Sequence, residues 1–255
     1  MGVWYTPLNY LRALADSTID AGANIFTHTE VQNVQKENGT YILTTQHAQI
    51  QARMIIIATN GYTAENIPEW SKGRFLPAVS SILVTRPITP EEQQKQGWTT
   101  HHMTYDTCTL LHYFRLLPDG RMMFGGRGAN SVNPTEERAF APELRRQFDE
   151  RFPEWADIET EYQWSGFIGL NRKKSQFLGS IDTEQTSLAS LAYHGSGIAM
   201  ASWSGKMLAQ LILGQKSMSD VPRLFSDPSQ KFPFDFLRPQ YLKLAYAYYL
   251  QTDKR

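Results

Sequence analysis

The most informative local pattern in this chain is LAYHGSGI at residues 191–198, where two glycines stand between an apolar strand and a helix. Apolar residues predict the strand at 188–193, and their spacing predicts the helix at 198–213 with Gly214 after its last turn. Glycines at such a turn let the backbone approach a ligand, and the free N–H groups of the helix N-terminus attract an anion or an electron-rich ring edge. As a dinucleotide fingerprint the pattern is incomplete, because Met200 replaces a third glycine. An ordinary strand-to-helix turn is the alternative interpretation.

The N-terminal part of the chain predicts one helix and several short strands. Thr6-Pro7 begins the helix, apolar residues follow at three-to-four spacing, and Gly22 ends it. Short strands are expected at residues 25–26, 31–34, 41–45 and 54–59. Asn38-Gly39 suits the tight turn of a hairpin. The last strand, MIIIAT, is a continuous apolar run, which is typical of a strand buried on both faces.

From residue 78 onward the pattern changes to alternating strands and longer helices. Strands are expected at residues 79–85, 110–117, 121–125 and 161–170, which predicts an antiparallel sheet. The charged segment 133–151 predicts a surface helix whose apolar side carries Leu144 and Phe148. An aromatic segment at 237–250 predicts a final helix. Together these elements predict an α+β fold.

Composition and charge argue against several classes of protein. The chain has 25 Lys plus Arg and 25 Asp plus Glu, so its net charge of zero disfavours binding to nucleic acid or to an anionic membrane. The single cysteine, Cys108, provides neither a disulfide nor a cysteine metal site, and we expect no metal. No apolar run is long enough to span a bilayer, so we expect a cytoplasmic protein. The motifs of phosphate-loop enzymes and of serine hydrolases are absent from the sequence.

Taken in order, these segments resemble the FAD-dependent oxidoreductases of the D-amino-acid oxidase type, which include glycine, sarcosine and γ-glutamylputrescine oxidases. Thr29-Glu30-Val31 is similar to the family strand whose valine backbone contacts the adenine, and IIATNGY at 56–62 is similar to a strand and turn beside the cofactor. The hairpin 115–126 and the segment 164–179 resemble the substrate domain and the return to the flavin domain. The nearest resemblance is to the γ-glutamylputrescine oxidase branch.

The resemblance implies a domain organisation and a set of site residues. It implies an antiparallel substrate-domain sheet with flanking helices, joined to a partial FAD-binding α/β layer. The expected domains are a partial FAD-binding layer at 1–77, a substrate-binding domain at 78–170, and a return to the FAD-binding layer with C-terminal helices at 171–255. Residues implied to contact a non-covalently bound FAD are Val31, Ala58, Thr59, Gly61, Gly195, Ser196, Gly197 and Ile198. Residues implied to line the substrate pocket are Tyr105, Tyr113, Trp164 and Ile168.

The resemblance also implies a reaction. A primary or secondary amine would transfer a hydride to N5 of the flavin, and dioxygen would reoxidise the flavin. Ile168 stands where the amino-acid oxidases carry an arginine for the substrate carboxylate, so a γ-glutamylputrescine-like amine is favoured over an α-amino acid. No residue is assigned as the catalytic group.

The family pattern begins with a strand and a Gly-x-Gly-x-x-Gly turn that holds the FAD pyrophosphate, and no such unit precedes residues 1–4. The chain is therefore expected to be a C-terminal portion, completed by an N-terminal partner chain or prone to self-association. Apolar surface at 54–58 and 188–193 is expected to be exposed for that contact. The alternative is a truncated, non-catalytic remnant that binds no cofactor and acts only through protein contacts.

Overall fold

The computed structural model describes residues 6–253. Residues 1–4, at which the sequence analysis noted the missing Gly-x-Gly-x-x-Gly unit, lie outside the described residues. The helices are α1 (Pro7–Asp20), α2 (Pro90–Gln96), α3 (Pro134–Arg151), α4 (Gly197–Ile212), α5 (Arg223–Ser226) and α6 (Arg238–Thr252). The strands are β1 (Val31–Glu37), β2 (Thr40–Thr45), β3 (Gln49–Ala52), β4 (Ile55–Ile57), β5 (Leu76–Pro87), β6 (Thr104–Tyr105), β7 (Tyr113–Leu116), β8 (Arg121–Arg127), β9 (Thr160–Leu170), β10 (Phe177–Ser180) and β11 (Ser187–Leu191). No helix between residues 6 and 253 has the length and apolar character needed to cross a bilayer.

The strands form three sheets. The antiparallel sheet β1-β2-β3 contains the predicted hairpin, whose turn residues Asn38 and Gly39 both have left-handed backbone angles. In the second sheet, β11 pairs in parallel with β4 and antiparallel with β10. The third is a five-stranded antiparallel sheet in the order β6-β7-β8-β5-β9. The predicted α+β fold with an antiparallel sheet and flanking helices is confirmed.

The five-stranded sheet packs one face on α3. Its core side carries Phe114, Leu116 and Phe124, and these meet the buried Phe148 of α3. Burial of such large apolar side chains is the main source of stability in a sheet-on-helix layer. Arg145 of α3 donates hydrogen bonds to the main-chain carbonyls of residues 155, 156 and 158, which attaches the segment before β9 to the helix.

The outer edge of β9 is covered by the turns that follow β4 and β11. Phe167 donates its main-chain N–H to the hydroxyl of Tyr62 (3.4 Å), and the carbonyl of Gly169 accepts the N–H of His194 (3.2 Å). Gly61 lies so close that a Cβ there would stand 2.7 Å from the carbonyl oxygen of Phe167. The second sheet is therefore attached to the five-stranded sheet through the edge of β9.

A partly buried carboxylate joins the second sheet to the first. Asp182, in the turn between β10 and β11, accepts hydrogen bonds from the hydroxyl of Tyr41 in β2 (2.9 Å) and from the hydroxyl and N–H of Thr186 (2.7 and 3.0 Å). Burial alone would raise the pKa of Asp182, but the hydrogen bonds from Thr186, Ser187, Tyr41 and Ser180 lower it to about 2.

Three local expectations from the sequence are wrong. Residues 25–26 form no strand, because this segment pairs with no strand among residues 6–253 and Phe26 is exposed. Strand β4 is not buried on both faces, since Ile56 is 45% exposed. The segment 188–193 is not an exposed apolar surface, because β10, β4 and α4 cover it.

Helix α1 has an unusual degree of exposure. It has the predicted bounds and carries apolar residues at three-to-four spacing, yet none of its residues is buried. The hydroxyl of Tyr10 in α1 forms a hydrogen bond with the hydroxyl of Ser202 in α4. Leu8, Leu11 and Leu14 remain exposed, so the apolar side of α1 lacks a covering layer among residues 6–253.

We predict that Gly61→Ala destabilises the chain by about 1–3 kcal/mol, because the new methyl group meets the main chain of β9 rather than a flexible side chain. Gly205→Ala is the matched control, since a Cβ at Gly205 in α4 meets nothing within 4 Å. The control should be neutral or slightly stabilising, because alanine favours a helix over glycine. Urea unfolding of both variants measures the difference, and equal midpoints would contradict the close contact.

We predict that Asp182→Asn destabilises the chain by about 2 kcal/mol at pH 7. The folded-state pKa of Asp182, about 2, lies below the usual 3.8, so its contribution is present above pH 3.8 and is lost as the pH falls toward 2. The difference in unfolding free energy between the wild type and the variant should therefore narrow between pH 5 and pH 2. Asp157→Asn, at an exposed carboxylate, should show no such change. A difference that stays constant with pH would rule out this role of Asp182.

Candidate active site

Two turns meet at one edge of the second sheet. Because β4 and β11 are parallel, their carboxyl ends lie side by side, and the turns at 58–61 and 192–197 follow these ends directly. Asn60 joins the turns, since its Oδ1 accepts the N–H of Ala192 (3.0 Å) and the N–H of Tyr193 (3.5 Å). The structure thus brings the predicted residues Ala58, Thr59 and Gly61 next to the turn at 192–197.

The turn at 192–197 leads into an open helix N-terminus. Ser196 is the N-cap of α4, but its side chain makes no capping hydrogen bond. A Cβ at Gly195 would meet nothing within 4 Å, and one at Gly197 would meet only the ring and Cβ of Tyr193, at 3.8–3.9 Å. The N–H groups of a first helical turn have no acceptor within the helix. Gly197 and the exposed Ile198 therefore present N–H donors and the positive end of the helix dipole to a ligand. Gly195 and Ser196 precede them, and the N–H of Ser196 donates to the carbonyl of Tyr193 (3.0 Å).

Val31 lies in a different sheet from these turns. It is the first residue of β1 and is paired with Thr45 of β2. A cavity of about 780 Å³ lies beside it, lined by its neighbours Glu30 and Gln32 and by His47. The structure thus places Val31 next to a cavity large enough for a ring system, at a separate position from the two turns.

The expected substrate residues share one face of the five-stranded sheet. Residues paired directly across antiparallel strands point to the same face. Tyr105 pairs with Tyr113, Tyr113 with Gly125, Gly125 with Ile82, and Ile82 with Trp164, which forms one row across all five strands. Ile168 lies four residues beyond Trp164 on β9 and so faces the same side. This face is opposite to the one that packs on α3.

The row is too wide for its ends to contact one small ligand. Tyr105 and Trp164 lie on the two edge strands, four strand spacings or about 19 Å apart. Both are exposed, by 70% and 47%. Trp164 and Ile168 lie on β9, whose edge the two turns cover, whereas Tyr105 lies at the distant edge. The structure therefore brings Trp164 and Ile168 toward the turns and leaves Tyr105 apart.

Tyr113 has a defined position in the middle of this row. Its ring lies against Gly125, where a Cβ would collide with it, and its hydroxyl hydrogen-bonds the hydroxyl of Ser80 (2.7 Å). Burial raises the pKa of Tyr113, although the bond to Ser80 lowers it in part. The phenol is therefore neutral at pH 7 and can donate one hydrogen bond.

Sequence reasoning missed His194 as a site residue, although it stands inside the quoted pattern at 191–198. Its ring Nε2 accepts the main-chain N–H of Asn171 (3.2 Å). The main-chain N–H of His194 donates to the carbonyl of Gly169 at the edge of β9. Burial, together with the positive charge of Lys174, lowers the pKa of His194, so the imidazole is neutral at pH 7. Asn60 was also missed as a linking residue, and the Asn-Gly pair after a buried strand is the signal that could have indicated it.

Comparisons with known proteins agree with this geometry. A family model described as FAD dependent oxidoreductase matches residues 1–211. The chain is 29% identical over 250 residues to the probable oxidoreductase OrdL of Rhizobium meliloti, covering 97% of this chain and 56% of that protein. It is 26% identical over 254 residues to the gamma-glutamylputrescine oxidoreductase of Escherichia coli, covering 97% and 57%.

Solved structures with the same fold include a dehydrogenase and an oxidase. The L-proline dehydrogenase of P. horikoshii superposes with a TM-score of 0.67 at 20% identity, over 94% of this chain and 60% of that one. The glycine oxidase of Geobacillus kaustophilus gives 0.68 at 17% identity, over 86% and 57%. The chain spans a little over half the length of the curated relatives it matches. The fold, the arrangement of the two turns and the match to the family model together establish that this chain belongs to the FAD-dependent oxidoreductase family.

Proposed function

We propose that this chain forms the substrate-binding and flavin-facing part of an FAD-dependent oxidoreductase that oxidises an amine of the γ-glutamylputrescine type, with dioxygen as the electron acceptor. The observation that supports this best is the meeting of the turns at 58–61 and 192–197 beside the open N-terminus of α4. The relative from Escherichia coli, whose name states γ-glutamylputrescine as its substrate, supports the choice of amine.

The residues present suit a non-covalently bound FAD. FAD, when bound, accepts the hydride that the amine loses. We assign Gly195, Ser196, Gly197 and Ile198 to its electron-rich ring edge, where N–H donors and the helix dipole stabilise negative charge. Ala58, Thr59 and Gly61 provide the neighbouring wall, and the cavity beside Val31 accommodates another part of the cofactor. Cys108 belongs to the connection between β6 and β7 and not to either of these turns, which suits non-covalent binding.

The face that carries Tyr113, Trp164 and Ile168 is the proposed substrate surface. Aromatic rings provide apolar area, and the neutral hydroxyl of Tyr113 provides a polar contact that orients the amine. Ile168 offers no guanidinium at this point, so a carboxylate next to the reacting carbon gains no charged partner from it. Oxidation of an amine without an adjacent carboxylate therefore suits this surface best.

We also propose the domain organisation and location expected from the sequence. Residues 78–170 form the substrate domain, and 1–77 with 171–255 form the incomplete flavin-binding layer. The uncovered apolar side of α1 and the exposed Ile56 are the surfaces that contact a nucleotide-binding segment, either on a partner chain or, in its absence, on a second copy of this chain. A single free cysteine suits the reducing cytoplasm.

We predict that the purified full chain binds FAD, seen as a change in the flavin absorption bands, and that a γ-glutamylated diamine bleaches them. Gly197→Ala should weaken FAD binding at least about tenfold, because its methyl group projects into the space assigned to the ring edge without touching any close neighbour in this chain. Gly205→Ala, on the same helix, is the control and should bind FAD as the wild type does. Absence of binding at saturating FAD would contradict this function and favour a non-catalytic remnant.

We predict that the isolated chain self-associates through the apolar side of α1. Leu11→Glu places a charge on that side and should shift the light-scattering mass toward that of the 29.1 kDa monomer. Leu244→Glu makes the same change at a leucine of α6 that is also exposed, and it should leave the association unchanged. A wild-type chain that is monomeric at high concentration and binds no hydrophobic dye would disprove the prediction.

A further inference from the structure

A second cavity lies next to the turn at 192–197, and His194 of that turn is one of its lining residues. It has a volume of about 490 Å³ and is enclosed by the segment after β9, the 109–110 connection and α6. This volume falls within the usual range of small-molecule sites. Tyr241, Tyr246 and Tyr249 of α6 provide aromatic walls, and Tyr241 is held by a hydrogen bond from its hydroxyl to the carbonyl of Pro233 (2.7 Å).

The charged residues that line this cavity are cationic, and a carboxylate beside it, that of Asp253, accepts the main-chain N–H groups of Thr109 and Leu110 (3.0 and 2.9 Å). Arg172 and Lys174 line it, and none of its lining residues is an aspartate or a glutamate. Arg172 donates from one terminal nitrogen to the carbonyl of Lys231 (2.9 Å), and within residues 6–253 neither cation has a carboxylate within 4 Å. Two cations that are exposed and have no carboxylate partner favour an anion at this cavity.

Lys173, between the two cations, has different partners. Its Nζ donates to the carbonyls of Leu224 (3.2 Å) and Asp227 (3.1 Å), and it lies 3.8 Å from the Asp227 carboxylate. It does not line the cavity. Of the three successive cationic residues, Arg172 and Lys174 line the cavity, whereas Lys173 has its partners outside it.

His194 connects this cavity with the turn assigned to the flavin. It lines the cavity, and the next residue along the chain is Gly195. Its neutral imidazole accepts a hydrogen bond from Asn171, another lining residue, so it adds no positive charge of its own at pH 7. A substrate whose amine lies at the turn could extend past His194 into the cavity.

We propose that this cavity binds the carboxylate end of the substrate, and that Arg172 and Lys174 select amines that carry an anionic group far from the reacting nitrogen. This inference rests on the proposed amine oxidation and specifies its substrate class. It accounts for an apolar Ile168 in a substrate surface, because the carboxylate is held in the cavity and not beside the reacting carbon. In a γ-glutamyl amine the ammonium next to the carboxylate can lie over the tyrosine faces.

The experiment measures binding to the full chain by isothermal titration, with and without FAD. The probes are γ-glutamylputrescine and the same compound with its α-carboxylate converted to an amide. The wild type should bind the acid about tenfold more tightly than the amide, as expected for a charge-assisted contact. The double variant Arg172→Gln, Lys174→Gln should bind both probes equally, whereas Lys173→Gln, which removes the intervening cation that does not line the cavity, should keep the preference. Thermal unfolding checks that all three proteins are folded.

Three outcomes would overturn the proposal: equal affinity of the wild type for the two probes, an unchanged preference in the double variant, or no binding of either probe. These outcomes are separate from the test of amine oxidation. If the chain binds FAD and amines reduce that FAD without a preference for a carboxylate, only the assignment of this cavity is wrong. If the chain prefers the acid but binds no FAD, the proposed oxidation is wrong and the assignment of the cavity to an anion stands.

Discussion

Strand β9 lies at the edge of its sheet, so the N–H and carbonyl groups on its outer side must find partners beyond the sheet. Tyr62 and His194 provide those partners, and the main chain of Gly61 lies directly against Phe167. A side chain at Gly61 would prevent this approach. The position of the proposed flavin turns relative to the proposed substrate face depends on this edge contact, because both turns are attached to β9 and not to the centre of the sheet.

The two faces of the five-stranded sheet have separate roles. One face stabilises the fold, because Phe124 and its neighbours pack on Phe148 of α3. The other carries Tyr113, Trp164 and Ile168 and remains partly open. Since side chains alternate along a strand, each strand can contribute to the core and to the open face without conflict. The rigid core thus supports polar and aromatic groups that are free to contact a ligand.

Several apolar side chains of the layer assigned to the flavin are exposed. Helix α1 buries none of its residues, and β4 leaves Ile56 open, although both belong to the layer assigned to the flavin. By contrast β11 is fully buried, because β10 and β4 flank it and α4 covers it. The proposed contact with a nucleotide-binding segment is therefore confined to α1 and β4. The cavity next to His194 is lined by residues outside α1 and β4.

Local periodicity and turn chemistry by themselves determined most elements of this protein. The helix after Thr6-Pro7, the Asn38-Gly39 hairpin, the antiparallel strands and the glycine turn before α4 all follow from spacing and backbone preference, which act over a few residues. The same local signals were misleading at residues 25–26 and at Ile56, where burial depends on a partner distant in the sequence. Only the tertiary structure decided that Asn60 contacts Ala192, that Tyr105 lies far from Trp164, and that Arg172 and Lys174 share a cavity with α6. These relations join residues many positions apart, and strand order and register, which no local pattern contains, set the distances between them.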